Sequence, residues 1–214
     1  MSGCNRYKYV KITPSKSFFS EEIVKKASSL NLELPFDDNI MFVEKIEGNK
    51  VYFYFAPYSY HLTLLKNNIT SFRVATVSGL LKLEEGYLIT IQSRKKRYAL
   101  SHTQYFPSFG GLVDDKGRDY ICDSLYKEMK EELNVERKSI KSLKPLNVFL
   151  LPNFYCFTYI VEVGISFDEL KSIQAGAVDS WEIDKMYLFS KKDIKKLNYK
   201  NSYPLLVKMA EAIE

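Results

Sequence analysis

Residues 110–135, GGLVDDKGRDYICDSLYKEMKEELNV, carry the most specific pattern in the sequence. Two glycines precede a predicted helix at residues 119–133, which carries three glutamates within five positions. At about 100° per residue, Glu128 and Glu132 lie on one stripe of that helix, and Glu131 lies beside it. Like charges spaced i,i+4 cost an isolated helix roughly 0.2–0.5 kcal/mol. The cluster therefore indicates that a positively charged group binds there.

A divalent cation held against the glycines accounts for this pattern. Mg²⁺ prefers oxygen ligands, keeps several waters, and is commonly bound by one or two carboxylates together with substrate phosphates. Gly110 and Gly111 let the backbone approach a ligand closely, so that a carbonyl oxygen can face the same ion. Asp119 is the predicted N-cap, and Asn134 stands where a helix often ends in the left-handed conformation. The apolar stripe that anchors the helix consists of Ile121, Leu125, Met129 and Leu133.

The same residues resemble the Nudix box, the signature of the Nudix hydrolases, whose pattern is G-x5-E-x7-R-E-U-x-E-E-x-G-U with U an aliphatic residue. Residues 127–135 match its second half, with Lys127 in place of Arg and Asn134 in place of Gly. Gly111 stands at the first box position. Asp119 replaces the first Glu, after a loop two residues longer than in the family. KEMKEE alone is also typical of a solvated helix face, and the order of strands and helices around it favours the family.

The resemblance implies an α/β fold, the Nudix α/β/α sandwich with a mixed β-sheet, over residues 71–214. It also implies hydrolysis of a nucleoside diphosphate linked to another moiety, with Mg²⁺ or Mn²⁺ as the cofactor. By the same resemblance, Glu128, Glu132 and the carbonyl oxygen of Gly111 are metal ligands. Glu131 is a further ligand or the catalytic base that orients the attacking water.

Four further residues take roles from this resemblance. Asp119 and Lys127 are expected to form an ion pair that braces the glycine loop against the helix, where the family has Glu and Arg. In DSWEIDKMYLF, Glu182 is the candidate for a catalytic base outside the box, with a surface residue as the alternative. Arg94, at the end of LITIQSR, is the candidate for binding the substrate phosphates, and the basic residues at 95–97 compete for that task.

The first seventy residues lie outside the resemblance. YKYVKIT alternates like a strand, SEEIVKKASSLNL has a Ser N-cap and helical spacing, and IMFVEKIEGNKVYFYFA is typical of a hairpin. We therefore predict a small N-terminal α+β domain with β-α-β-β order at residues 1–70. A polar connection follows, and then the Nudix domain at residues 71–214. Within that domain we predict a strand pair around Gly86, further strands, and a closing helix from about Ser202.

Length and composition indicate one domain, or one domain with a small companion, because the chain has 214 residues and is 46% hydrophobic. The sequence shows neither an uncharged apolar run of about eighteen residues nor a signal-peptide pattern, so we expect no membrane partner and a cytoplasmic location. The three cysteines are few and far apart, which argues against a disulfide framework or a zinc site and favours ordinary thiols. The net charge is +5, and clusters such as SRKKRY and SKKDIKK are either solvated or attract a polyanion.

Three functions stay open from the sequence alone. The leading one is a pyrophosphohydrolase of ADP-ribose-like or nucleotide-sugar compounds, which the intact glutamate trio indicates. The second is a Nudix enzyme that processes the 5′ end or cap of RNA, which the basic clusters support. The third is a non-catalytic module that senses a nucleotide, supported by Lys127, Asn134 and the longer loop. A nucleoside diphosphate derivative is the expected partner, RNA is not favoured, and a homodimer is left open.

Overall fold

The computed structural model describes residues 6–14, 20–31, 37–69, 71–93 and 104–213. Strands form where β-branched and aromatic residues alternate with polar ones, and helices form where apolar residues recur every three or four positions. In chain order, the described strands and helices are β1 (Lys8–Lys11), α1 (Glu21–Asn31), β2 (Asn39–Glu47), β3 (Lys50–Pro57), α2 (Tyr58–Lys66), β4 (Val74–Lys82), β5 (Tyr87–Gln92), β6 (Phe109–Leu112), α3 (Tyr120–Leu133), β7 (Ile140–Leu151), β8 (Phe154–Val163), α4 (Phe167–Gln174), β9 (Ile183–Phe189), α5 (Lys191–Ile194) and α6 (Pro204–Glu211).

The described strands form one mixed sheet with β4 at its centre. β1, β3, β2, β4, β5 and β9 lie in this order, while β6 and β8 also pair with β4 and β7 pairs with β8. β8 runs parallel to β4, with Phe154 opposite Val74 at one end of the pairing. β6 runs antiparallel to β4, with Gly111 opposite Val77. Gly110 and Gly111 therefore lie against β4, the central strand.

Helices cover both faces of this sheet. Val77 of β4 belongs to the core under α3 and α4, whereas Leu80 belongs to the core under α6. α1 and α2 lie on the α6 face, because Ile23 and Leu64 pack with Val74, whose side chain points the same way as that of Leu80. The predicted α/β/α sandwich with a mixed sheet is confirmed.

The N-terminal β-α-β-β order is present as β1, α1, β2 and β3. The polar connection predicted after it is wrong, because residues 58–66 form the helix α2. Tyr, His and Thr side chains gave this segment a polar appearance in the sequence. In the structure His61, Leu62 and Leu64 are all buried, so the helix is held by packing that the sequence pattern did not reveal.

The sheet and the core continue across the predicted domain boundary. Met41 of β2 and Phe53 of β3 pack in the same core as Val77 of β4. Phe42 of β2 also pairs directly with Val74 of β4. The division into residues 1–70 and 71–214 stays a prediction, and these two parts of the chain share their packing.

The second part of the chain follows the predicted order with two additional helices. β4 and β5 form the predicted strand pair, and the N–H of Leu83 donates to the carbonyl of Gly86 at 2.8 Å in the turn between them. The closing helix is α6, which begins at Pro204. α4 and α5 were not predicted, because each is short and carries few apolar residues.

Two expectations from composition can be compared with the structure. Cys156 is a buried free thiol, but Cys122 is disulfide-bonded. The interpretation as ordinary thiols is therefore wrong for Cys122, because separation along the chain does not measure separation in the fold. In the described part of the chain, no helix is both long enough and apolar enough to span a membrane. The cytoplasmic location stays a prediction.

His61 makes the stability of the α2 packing depend on pH. Its ring is 4% exposed and contacts the rings of Tyr58, Phe72 and Phe154. Burial lowers the pKa of His61 to about 4, below its ordinary value of 6.5. Below pH 6.5, His61 binds a proton in the unfolded chain, whereas in the folded chain it stays neutral down to about pH 4. Folding stability therefore falls as the pH drops from 6.5 toward 4.

We expect His61→Phe to remove this part of the pH dependence. Between pH 7 and pH 4.5, the wild-type protein should lose about 2.5 kcal/mol of unfolding free energy more than the variant does. Urea unfolding at the two pH values measures the difference. His102→Phe, which changes the chain's other histidine, serves as the control and should keep the wild-type pH dependence. Equal pH dependence in wild type and His61→Phe would contradict the prediction.

Candidate active site

The glycine segment of β6 lies in contact with the backbone of β4. A Cβ atom on Gly110 would lie 2.5 Å from the carbonyl oxygen of Val77, which is closer than carbon and oxygen can approach. Any larger residue at position 110 would push β6 away from the central strand. The first glycine of the pair is therefore required by the sheet.

The second glycine makes room for a carboxylate. A Cβ atom on Gly111 would overlap the carboxylate group of Glu128, both oxygens of which lie against the bare Cα atom. Glu128 reaches this position from the middle of α3. The helix packs on β6 and β4 through buried side chains that include Leu125 and Met129. The close approach of the Glu128 carboxylate to β6 therefore depends on the absence of a side chain at position 111.

Glu132 reaches the same segment one helical turn later. Its side chain is 6% exposed, and the N–H of Gly110 donates to its Oε1 atom at 3.4 Å. The structure thus brings Gly111, Glu128 and Glu132 together, as the sequence pattern indicated. Their role as metal ligands stays a prediction.

Glu131 lies on the side of α3 next to this stripe and is half-buried. Burial raises the pKa of its carboxyl group, and the negative charges of Asp179 and Asp114 act in the same direction. Lys127, whose Nζ atom is 4.0 Å from Glu131 Oε2, opposes this shift without cancelling it. Glu131 therefore binds a proton more readily than an ordinary glutamate, which suits a group that accepts a proton from water.

The predicted ion pair between Asp119 and Lys127 is replaced by a different one. Lys127 Nζ donates to Asp114 Oδ2 at 2.9 Å, and Asp114 is 4% exposed. Burial lowers the pKa of Lys127, but the hydrogen bond and the charge of Asp114 outweigh it, so that the pKa is raised. Lys127 therefore binds Asp114 in its charged form, and Asp114 lies three residues after Gly111 in the sequence.

Asp119 instead contacts the N-terminal strand. The hydroxyl of Tyr9 donates to Asp119 Oδ1 at 2.5 Å. Asp119 occupies the N-cap position of α3, but its side chain makes no capping bond within the described residues. Asp123 accepts from the backbone N–H groups of Arg118 and Asp119 at 2.8 and 3.0 Å and stabilises the start of the helix. The longer loop therefore turns Asp119 toward β1 and leaves Asp114 to pair with Lys127.

Two other predictions for α3 can be compared with the structure. Asn134 adopts the left-handed conformation at the end of the helix, with φ 55° and ψ 27°, as predicted. Its side-chain amide donates to the carbonyl of Ile173 at 2.9 Å, so the helix end is also tied to α4. Arg94, the predicted phosphate-binding residue, lies outside the described residues.

A cavity of about 190 Å³ opens beside the glycine segment. Glu132 and Glu182 both line it, so Glu182 shares a cavity with one of the box glutamates. The role of Glu182 as the base stays a prediction. The rings of Phe106 and Tyr203 stack at 4.9 Å between centroids, and both line the cavity. Its remaining lining residues are Thr76, Val77, Ser78, Thr90, Gln92, Pro107, Phe109, Gly110, Gly111, Phe154, Cys156, Ile183 and Leu205.

Asp114 and most of the cavity lining were not predicted from the sequence. Asp114 is the first acidic residue after Gly111, and that position was the available signal for it. For Thr76, Thr90 and Cys156 we find no local signal, since each lies in an ordinary strand and they approach one another only through sheet pairing.

The donor set at the glycine segment is compatible with the implied metal ion. In the ranges that the structure describes, no three His, Cys, Asp or Glu side chains are close enough to hold an ion by themselves. Mg²⁺ needs fewer than three protein side chains, because it is commonly held by one or two carboxylates together with substrate phosphates and water. Glu128 and Glu132 provide two carboxylates beside the backbone of Gly111, and all of these ligands are oxygens.

Comparisons with known proteins place this geometry in a known fold. No protein-family model and no curated protein matches the sequence. Among solved structures, DR0079 from Deinococcus radiodurans is similar with a TM-score of 0.50 and 19% identity, over 65% of this chain and 82% of that one. A mutT/nudix family protein from Listeria innocua gives a TM-score of 0.46 and 17% identity, over 64% of this chain and 89% of that one. A NUDIX hydrolase from Nitrosomonas europaea gives a TM-score of 0.44 and 17% identity, over 64% of this chain and 86% of that one.

The chain has the Nudix fold. At such low identity the similarity describes the arrangement of strands and helices. The activity must therefore be argued from the residues that this fold brings together.

Gly111→Ala should reduce activity without unfolding the protein. The added methyl group displaces the carboxylate of Glu128, which is the far end of a flexible side chain and can move away. A misplacement of about 1 Å at a catalytic centre costs as much as roughly 10²-fold in rate. Hydrolysis rates and thermal unfolding of the variant measure the two effects. Gly110→Ala is the matched control and should lower the unfolding temperature, because its methyl group meets the backbone of β4. Wild-type activity in Gly111→Ala would contradict this reading of the contact.

A double-mutant cycle should find coupling between Asp114 and Lys127. Their hydrogen bond joins the buried carboxylate of Asp114 to a lysine whose side chain is 37% exposed, so we expect a coupling free energy of about 1–3 kcal/mol from urea unfolding of Asp114→Asn, Lys127→Met and the double variant. The control cycle pairs Asp119→Asn with Lys127→Met and should give a coupling near zero. Substantial coupling in the control cycle would restore the pair expected from the sequence.

Proposed function

We propose that this chain is a metal-dependent Nudix pyrophosphohydrolase. It cleaves the diphosphate bond of a nucleoside diphosphate linked to another moiety, of the ADP-ribose or nucleotide-sugar type. The observation that carries the proposal is the convergence of Glu128 and Glu132 on the bare backbone of Gly110 and Gly111. The Nudix fold shared with known hydrolases supports it.

In the proposed site, Glu128, Glu132 and the Gly111 carbonyl hold Mg²⁺ or Mn²⁺. A bound divalent cation would neutralise phosphate oxygens and make bound water more acidic. The chain's own contribution is geometric, because α3 packs on β6 so closely that both carboxylates reach one short backbone segment. Asp114 and Lys127 add a polar connection between the loop after β6 and the same turn of α3.

Two carboxylates are the candidates for accepting the proton of the attacking water. Glu131 has a raised pKa, caused first by burial, and stands beside the proposed metal ligands. Glu182 lines the cavity together with Glu132 and is partly exposed. We assign Glu182 as the base that acts from the cavity side, and Glu131 as a ligand or a group that orients the water.

The cavity suits the part of the substrate next to the diphosphate. Its stacked rings, Phe106 and Tyr203, offer apolar contact, and Thr76, Thr90 and Gln92 offer hydrogen bonds. Its volume of about 190 Å³ is below the ~300–1,000 Å³ typical of ligand sites. The cavity in this form holds one portion of such a substrate, and the rest extends beyond the described lining.

An RNA 5′ end is the second substrate class that an observation favours. The segment at residues 190–201 carries five lysines and one aspartate. A positively charged surface of this kind attracts the phosphate backbone of nucleic acid. A diphosphate or cap at the end of an RNA presents the same bond as the smaller substrates, so the two proposals share one site.

The test is the Glu132→Gln variant in a panel of nucleoside diphosphate derivatives with Mg²⁺ or Mn²⁺. Gln can still accept the N–H of Gly110, so the fold should stay intact, whereas the loss of the negative charge should lower turnover by 10²-fold or more. Product formation followed by chromatography measures the rate, and circular dichroism checks folding.

Glu136→Gln is the matched control, because Glu136 is exposed and pairs with Lys130 beyond the end of α3. It should hydrolyse at the wild-type rate. If Glu132→Gln also does so, the assignment of the metal ligands is wrong. If the wild-type protein binds a nucleotide but hydrolyses none of the panel with either metal, the non-catalytic sensing module is the better description.

A further inference from the structure

A second surface with an unusual composition lies next to the cavity. We call residues 190–201, SKKDIKKLNYKN, the basic segment; it comprises α5 and the turns that follow it. Its five lysines and single aspartate give a net charge of +4, compared with +5 for the entire chain. All five lysines are exposed. The basic segment is therefore strongly positive over twelve residues.

The single acidic side chain of the basic segment offsets only one of its five lysines. Asp193 accepts from the hydroxyl of Ser190 at 2.6 Å and from Lys196 Nζ at 3.3 Å. It is thus engaged within the segment, where it stabilises the start of α5. Ile194 and Leu197 pack in the core with α6, so the lysines are presented from an anchored backbone. The positive charge therefore has a defined position on the surface.

Aromatic rings accompany the lysines. Tyr199 is 56% exposed, an unusual exposure for a large aromatic side chain. Tyr105 lines a surface depression together with Lys196 and Asn201. Aromatic rings combined with a basic groove bind single-stranded nucleic acid, because the bases stack on the rings while the cations follow the phosphates.

The depression and the cavity share one wall. The N–H of Tyr105 donates to the carbonyl of Asn201 at 2.9 Å, and the N–H of Tyr203 donates to the carbonyl of Tyr105 at 2.8 Å. Tyr105 and Asn201 line the depression, whereas the neighbouring residues Phe106 and Tyr203 line the cavity. An extended ligand that leaves the cavity can therefore continue over this wall onto the basic segment.

We propose that the basic segment, with Tyr105 and Tyr199, binds single-stranded RNA whose 5′-terminal nucleotide enters the cavity. The proposal deepens the proposed function and rests on it only for the position of the terminal nucleotide. The small cavity holds that terminal group, the rings stack on following bases, and the lysines contact the backbone phosphates. Binding to the basic segment requires no metal and no hydrolysis.

The binding test uses a fluorescein-labelled RNA of twelve nucleotides without metal, followed by fluorescence anisotropy at several salt concentrations. The variant Lys192→Ala/Lys195→Ala/Lys200→Ala should bind at least tenfold more weakly than wild type. Its salt slope should fall by about 2, because each phosphate contact on a single strand contributes about 0.7. Tyr199→Ala should weaken binding about fivefold or more with an unchanged salt slope, and Tyr199→Phe should restore it.

The matched control removes the same charge elsewhere, as Lys25→Ala/Lys66→Ala/Lys138→Ala, three exposed lysines on other elements. It should bind RNA within twofold of wild type. Equal losses in both triple variants, or no RNA binding by wild type at 50 mM salt, would overturn the proposal. Displacement of the RNA by polyglutamate as effectively as by unlabelled RNA would overturn it as well, since the surface would then recognise an acidic peptide.

Hydrolysis separates this proposal from the proposed function. The basic-segment variant should cleave a small nucleoside diphosphate substrate at the wild-type rate, because none of its three lysines lines the cavity. It should cleave a 5′-diphosphorylated RNA at least tenfold more slowly at limiting substrate. If wild type cleaves small nucleotides but the variant cleaves this RNA equally well, the RNA proposal fails alone. If wild type cleaves neither substrate, the proposed function fails and the anisotropy result still decides RNA binding.

Discussion

The site depends on the contact between the carboxylate of Glu128 and the bare Cα atom of Gly111. The carboxylate of Glu128 can reach the backbone of β6 this closely only because position 111 lacks a side chain. The apolar side of α3, including Leu125 and Met129, holds the helix against the sheet, so the cost of placing two carboxylates one turn apart is offset by packing. The same contact positions Glu132 beside Gly110. A substitution at one backbone position therefore affects two charged groups.

The central position of β4 holds in place the strand β6, which carries Gly111 and its contact with Glu128. β4 pairs with β6 on one side and with β8 on the other, and helices cover both faces of the sheet. The carbonyl of Val77 leaves no room for a side chain on Gly110, so the register between β4 and β6 is set by backbone packing. A rigid strand pair in the core thus supports a pair of glycines at the edge of the cavity. Catalytic groups are positioned more accurately by such elements than by loops.

Helical periodicity predicted that Glu128 and Glu132 share one stripe of α3, whereas the α/β/α fold and the convergence of these glutamates with Gly111 were implied by the resemblance to the Nudix box. Asp119 could not be placed correctly in the same way. Its contact with Tyr9 joins residues 110 positions apart, and the two extra loop residues decide which aspartate faces Lys127. Spacing along a helix predicts which side chains share a face, whereas spacing along a loop does not predict its direction.

The segments that were missed have a common physical cause. α2 contains serine, histidine and threonine side chains that are buried by neighbours distant in sequence, and no local pattern shows this burial. The lining of the cavity likewise comes from strands that meet only through sheet pairing, as with Thr76 and Cys156, whose side chains lie 3.1 Å apart although the residues are 80 positions apart. For the same reason the sequence did not show whether the lysines of the basic segment are only solvated or attract a polyanion. The significance of the basic segment comes from the shared wall formed by Tyr105 and Tyr203, which places a positively charged surface beside the cavity that is proposed to hold the part of the substrate next to the diphosphate.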